Sequence, residues 1–175
     1  FYAMNVRVKI ISRLLTYLCG VLAVGYLVIV LYSAICLVTG TGITPYGDGK
    51  YLHINYPFTD TPFLNVDNNL PYILSSFLSV LLFYGLFFLL TAQVFRIFHQ
   101  PRLFIMPHIA SLQRFYLYNL FVPGIATLIS LLFVPVEGIV WGLILVHMLL
   151  GVFAYFLSAI FKQGLNLQNE QDLFI

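Results

Sequence analysis

The chain has 175 residues, of which 61% are hydrophobic and only 8% are charged, with eight Lys or Arg against six Asp or Glu. A soluble domain carries about a quarter charged residues, so this composition cannot clothe a water-exposed surface, and lipid must cover most of the chain. A net charge of +2 excludes direct nucleic acid binding as the expected role, and the length suits a single membrane domain spanning 1–175.

Position 1 is Phe rather than Met, so the natural start is expected upstream. Arg7, Lys9 and Arg13 form a basic lead without acids. The apolar run 14–38 follows. A bilayer needs about 20 apolar residues and a signal-peptide core only about 7–15, so this run reads as a retained first span. Cys19 and Cys36 lie 17 positions apart within it. At about 1.5 Å per residue they are too far apart to pair with each other, and they read as small buried apolar residues.

Residues 39–70 form the longest polar connection. Gly40, Gly42, Pro45, Gly47 and Gly49 break any helix, Tyr51 to Tyr56 roughly alternates as a strand does, and Phe63 to Val66 reads as its return,. A small outward-facing hairpin is expected here. Asn65, Asp67 and Asn69 have the spacing of half a calcium loop but lack its glycine and distal Glu,, so no metal is assigned.

Pro71 suits the first turn of a second span over 72–95. Ser75, Ser76 and Ser79 cluster at its start and are expected to bond their own backbone or a neighbouring helix. The middle loop, 96–114, carries Arg96, Arg102, Arg114, His99 and His108 and no acid. Pro107 marks a plausible start for the third helix, whose span is read as 115–134. Pro123 inside it deprives the carbonyl of Asn119 of its partner and predicts a kink. A tight turn at Pro135 to Gly138 leads to a fourth span over 139–161, which Lys162 closes. Residues 162–175 form a polar tail.

With four alternating spans, seven of the eight basic residues fall on one side, and only Lys50 joins Asp48, Asp60, Asp67 and Glu137 on the other. The positive-inside rule then puts both termini and the middle loop in the cytoplasm. The expected fold is an all-α integral membrane protein: an antiparallel bundle of four transmembrane helices with a small outward hairpin between helices 1 and 2.

The tail, from Phe161 to Ile175, reads Gly164-x-x-Leu167-Gln168-x-Glu170-x-Asp172-Leu173-Phe174-Ile175. It resembles the closing motif of a bacterial membrane family known as domain of unknown function twenty-nine seventy-five, with Phe174 where that family usually has Thr. The middle loop resembles the family's more weakly, through Leu103-Phe104 and Leu112-Gln113-Arg114. The resemblance implies four spans, the bacterial inner membrane and a partnership with a small helix-turn-helix regulator. It implies no activity, since none is established for that family.

No catalytic set, cofactor motif or metal cluster is apparent, and the chain is expected not to be an enzyme. The favoured expectation is a protein-interaction, regulatory or accessory subunit acting through its cytoplasmic face, with lipid and another protein, either a small regulator or a larger membrane complex, as partners. In that reading the tail folds back under the bundle. Glu170 or Asp172 pairs with Arg102 or Arg114, while Leu165, Leu167, Leu173 and Ile175 pack beneath, next to Gly164. The alternative centres on His147, the one ionisable residue well inside a span. Such residues are functional suspects by default. A ligand- or ion-handling bundle would use it together with the bend at Pro123.

Overall fold

The computed structural model describes residues 6–172. Four long helices run through the described residues: α1 (Val6–Thr39), α2 (Leu70–Ile97), α3 (Met106–Ser130) and α4 (Gly138–Asp172). Between α1 and α2 lie three strands, β1 (Ile43–Tyr46), β2 (Tyr51–Asn55) and β3 (Pro62–Asp67). Three of the helices, α1, α2 and α4, are long and apolar enough to cross a membrane. α3 falls short because Gln113, Arg114 and Asn119 lie along it.

The helices pack as two pairs. α1 lies along α2, α3 lies along α4, and α2 joins the pairs through α3. Glycines set the closest approaches. A Cβ on Gly85 would stand 3.0 Å from Leu27 of α1, and one on Gly151 would stand 2.8 Å from Leu120 of α3. Elsewhere the apolar faces are bare. Val21, Val28 and Leu31 on α1, and Leu145, Leu149 and Phe153 on α4, are exposed. An apolar surface of this extent needs lipid or protein to cover it.

The connection after α1 holds one strand more than the expected hairpin. The sheet runs β1-β2-β3, antiparallel throughout, with Tyr46 opposite Tyr51 and Leu52 opposite Val66. Pro45 is tolerated because β1 is an edge strand. Gly47 and Gly49, with φ of +60° and +79°, make the tight turn between β1 and β2. The sheet is tied to the bundle by Ile54 and Val66, which are buried with Cys36 of α1 and Ile73 of α2. The Tyr32 hydroxyl adds a hydrogen bond of 2.6 Å to the carbonyl of Asn55. Both cysteines are free and buried.

At the opposite end the connection is shorter than the sequence suggests. α2 runs to Ile97 and α3 begins at Met106, with Pro107 in its first turn. Only 98–105 is loop, and Arg114 stands on α3. A second core closes this end: Ile97, Ile109, Leu112 and Phe161 are buried, with Leu103, Phe104 and Leu165 against them. At its other end α3 stops at Ser130, so residues 131–134, read from hydropathy as the end of the third span, form a turn.

Two further features depart from expectation. Residues Ile73–Leu78 of α2 form a π-helix, a wider turn than the α-helix around it,. The polar tail does not fold back. α4 continues past Lys162 as one helix to Asp172. Asn166 to Gln171 are exposed along it, Leu167 at 60% and Glu170 among them. Leu173 and Ile175 lie outside the described residues, as does the side chain of Asp172.

Candidate functional site

α2, α3 and α4 diverge toward the end that carries Glu137, and a cleft of about 480 Å³ opens between them. Its mouth is formed by Pro135, Val136 and Glu137, the turn that brings α3 into α4. Its deepest named residue on α4 is His147. Ten positions separate Glu137 from His147, which on a helix is about 15 Å. The wall from α2 is the π-helical segment and the turn after it: Ser75, Ser76, Ser79, Phe83 and Tyr84. The wall from α3 is Pro123, Ala126, Thr127 and Ser130.

The base of the cleft is polar and buried. His147 is 7% exposed and Asn119 is fully buried. Nδ1 of His147 lies 2.8 Å from Oδ1 of Asn119, and Nδ2 of Asn119 donates to the carbonyl of Phe115 at 2.8 Å. An amide oxygen can only accept, so the imidazole carries its proton on Nδ1 and leaves Nε2 as an acceptor. Aromatic rings enclose the imidazole. It stands edge-on to Phe83 at 4.9 Å and to Phe87 at 5.1 Å between ring centres. The Tyr118 hydroxyl pins α3 to α2 beside this group, donating to the carbonyl of Phe83 at 2.9 Å.

Three of the four serines of the cleft use their protons locally. Ser75 donates to the carbonyl of Pro71 at 2.6 Å, Ser79 donates to the carbonyl of Ser75, and Ser130 donates to the carbonyl of Ala126 at 2.9 Å. Such back-bonds satisfy the hydroxyl protons within one helix and leave the oxygen lone pairs available. α3 continues unbroken past Pro123, which is buried and lines the cleft.

Of the candidate interaction and intramembrane residues named from the sequence, His147 alone lies in this cleft, beside Ser75, Ser76, Ser79, Pro123 and Glu137, which the sequence had marked for other reasons. Among the described residues, the tail does not assemble around the middle-loop arginines. Arg102 is exposed on the loop, and Arg114 bonds Ser111 on its own helix at 3.3 Å. Gly164 is a packing position: a Cβ there would stand 2.7 Å from the Phe104 ring. Of the tail side chains expected to pack beneath the bundle, Leu165 does so, with Leu103 and Phe104 of the loop against Phe161, whereas Leu167 is exposed. Asn119 is the residue that sequence reasoning passed over, named there only for its carbonyl. Its signal was an amide side chain inside an apolar run, four positions before Pro123. No three His, Cys, Asp or Glu side chains cluster to hold a metal among the described residues. No family model, curated protein or solved structure matches the chain.

Proposed function

We propose that this chain is a non-catalytic membrane protein that binds a small molecule in the cleft between α2, α3 and α4. One observation carries the reading. The cleft runs from the exposed Glu137 to the buried His147–Asn119 pair, in a surface that is otherwise apolar. Polar groups deep in a membrane bundle are expensive and face a bundle interior or a cavity. A concave site with a few convergent polar groups is the usual form of a ligand pocket.

In this reading all four helices cross the bilayer, α3 being the least apolar because it carries Gln113, Arg114 and Asn119. Both termini stand on the Arg-rich cytoplasmic side, and the sheet and Glu137 face outward. The resemblance of the tail motif favours the bacterial inner membrane. Native mass spectrometry of the full chain, released from mild detergent, tests the reading. A ligand of a few hundred daltons should stay with the wild type and be lost in Ala126→Phe, which fills the cleft wall. A wild-type spectrum without any bound small molecule would overturn the reading.

A second reading, an interaction subunit acting through its cytoplasmic face, is favoured by the exposed last turns of α4, from Asn166 to Gln171. In that case a protein partner should co-purify in stoichiometric amount and be lost on truncation after Gly164, while His147→Phe leaves it bound.

A further inference from the structure

The polar groups of the cleft differ in what they can give a ligand. Ser75, Ser79 and Ser130 have committed their protons to carbonyls of their own helices. His147 has committed its proton to Asn119. Each can now only accept. Ser76, Thr127, Tyr72 and Tyr84, whose hydroxyls can either donate or accept, complete the polar lining. The one formally charged side chain is the carboxylate of Glu137 at the mouth, and neither Lys nor Arg lines the cleft. An anionic ligand would find only these four hydroxyls as side-chain donors, against the lone pairs of the others and the negative charge of Glu137. A ligand that brings its own protons and a positive charge meets complementary groups, with the rings of Phe83 and Tyr84 as further favourable surface for a cation.

A second concavity adjoins the first. It measures about 450 Å³ and shares Ser75, Ser79, Ala126 and Ser130 with the cleft. Its other walls are Leu70, Pro71, Leu74, Ile129 and Phe133. Leu74, Ile129 and Phe133 are each more than half exposed, on the apolar flank of the bundle. The two spaces therefore meet along a line of small side chains, one acceptor-rich and acidic, the other apolar and open sideways.

From this juxtaposition we infer that the ligand is a cationic amphiphile, an ammonium head group carried on an apolar chain. This inference rests on the cleft reading above and names the class of molecule for it. The ammonium group sits between Glu137 and the serine oxygens. The chain passes over Ser79 and Ala126 into the groove between Leu74 and Phe133. No bond is made or broken, and entry is lateral, from the apolar flank.

Calorimetric titration of the full chain in phosphatidylcholine nanodiscs, with empty nanodiscs as the partition blank, tests this. The probes are decylammonium, decanol and decanoate, which share a chain and differ in head group. Decylammonium should bind saturably, and decanoate should not exceed the blank. Glu137→Gln should weaken decylammonium binding about tenfold. Glu137 is exposed, so this variant should fold as the wild type does. Ala126→Phe should abolish binding, and Ser79→Phe provides a second block should the first fail to fold. Saturable decanol or decanoate binding that Ala126→Phe removes, without saturable decylammonium binding, would overturn the cationic assignment and leave the cleft reading standing. Decylammonium binding that survives both blocks would overturn the amphiphile path and the cleft reading together.

Discussion

Asn119 and His147 face each other from α3 and α4 at 2.8 Å, and both are buried. Each completes the other. The amide oxygen accepts the imidazole proton, and the amide nitrogen is held by the carbonyl of Phe115. Removing one partner strands the other. His147→Phe should lower stability by about 1–3 kcal/mol, the usual penalty of an unsatisfied buried polar group. Asn119→Leu should do the same. The double variant should lose less than the sum of the two, since both polar groups are then gone. Thermal melting of the four proteins in one detergent measures this, and strict additivity would show that the pair is not coupled.

Gly164 and the last turns of α4 separate packing from surface. Gly164→Ala puts a methyl group 2.7 Å from the Phe104 ring, and overpacking of this kind typically costs about 1–3 kcal/mol. Glu170→Ala with Gln171→Ala should change the melting temperature by no more than about 1 °C, because exposed positions contribute little,. A marked fall in this variant would show that the last turns of α4 are held by contacts.

Tyr32 links the sheet to α1. Tyr32→Phe leaves the Asn55 carbonyl without this donor and should cost about 0.5–1.5 kcal/mol. The effect should be local. Limited proteolysis should cut within 40–69 faster than in the wild type while the helices persist by circular dichroism. Equal cleavage rates would show that the hydrophobic contacts of Ile54 and Val66 hold the sheet unaided.

His99 gives the fold a pH dependence at the end that carries the middle loop. Partial burial, and then the nearby charges of Arg13 and Arg96, lower its pKa below the ordinary value. The unfolded chain takes up a proton near pH 6.5, where the folded chain still resists it. Stability is therefore full above that pH and declines as pH falls below it, toward the lower pKa of the folded state. Melting curves at pH 7.5, 6.5 and 5.5 should show the decline, and His99→Asn should flatten it. An identical pH profile in the variant would place the effect elsewhere.

The sequence was most readable where lipid dictates composition. The apolar runs that became α1, α2 and α4 declare themselves because a helix in lipid must be apolar along its length. Hydropathy marks the apolar stretch, however, and not the ends of the helix. Arg114 looked like loop because it is charged, yet it stands on α3. Lys162 looked like a stop, yet α4 simply propagates past it. Extending a formed helix requires no new nucleation, and Leu167, Gln168 and Glu170 are good helix formers. β1 was hidden by Pro45 among glycines, a composition that reads as turn unless the strand is an edge. Within the cleft, His147 was legible as a lone ionisable group. Asn119 and the π-helical turn were not, because their roles depend on which helices face one another, and that is a tertiary fact.

The continuity of α4 has a mechanical consequence. From His147 to Asp172 the helix is uninterrupted, about 37 Å of rod at 1.5 Å per residue. A tilt of about 5° about its cleft end sweeps the far end by about 3 Å, close to the width of an atom. Gly164, where the helix presses on Phe104, lies two thirds of the way along, so the same tilt would shift that contact with the middle loop by about 2 Å. Occupancy of the cleft would then be felt as displacement at the polar end of the same rod.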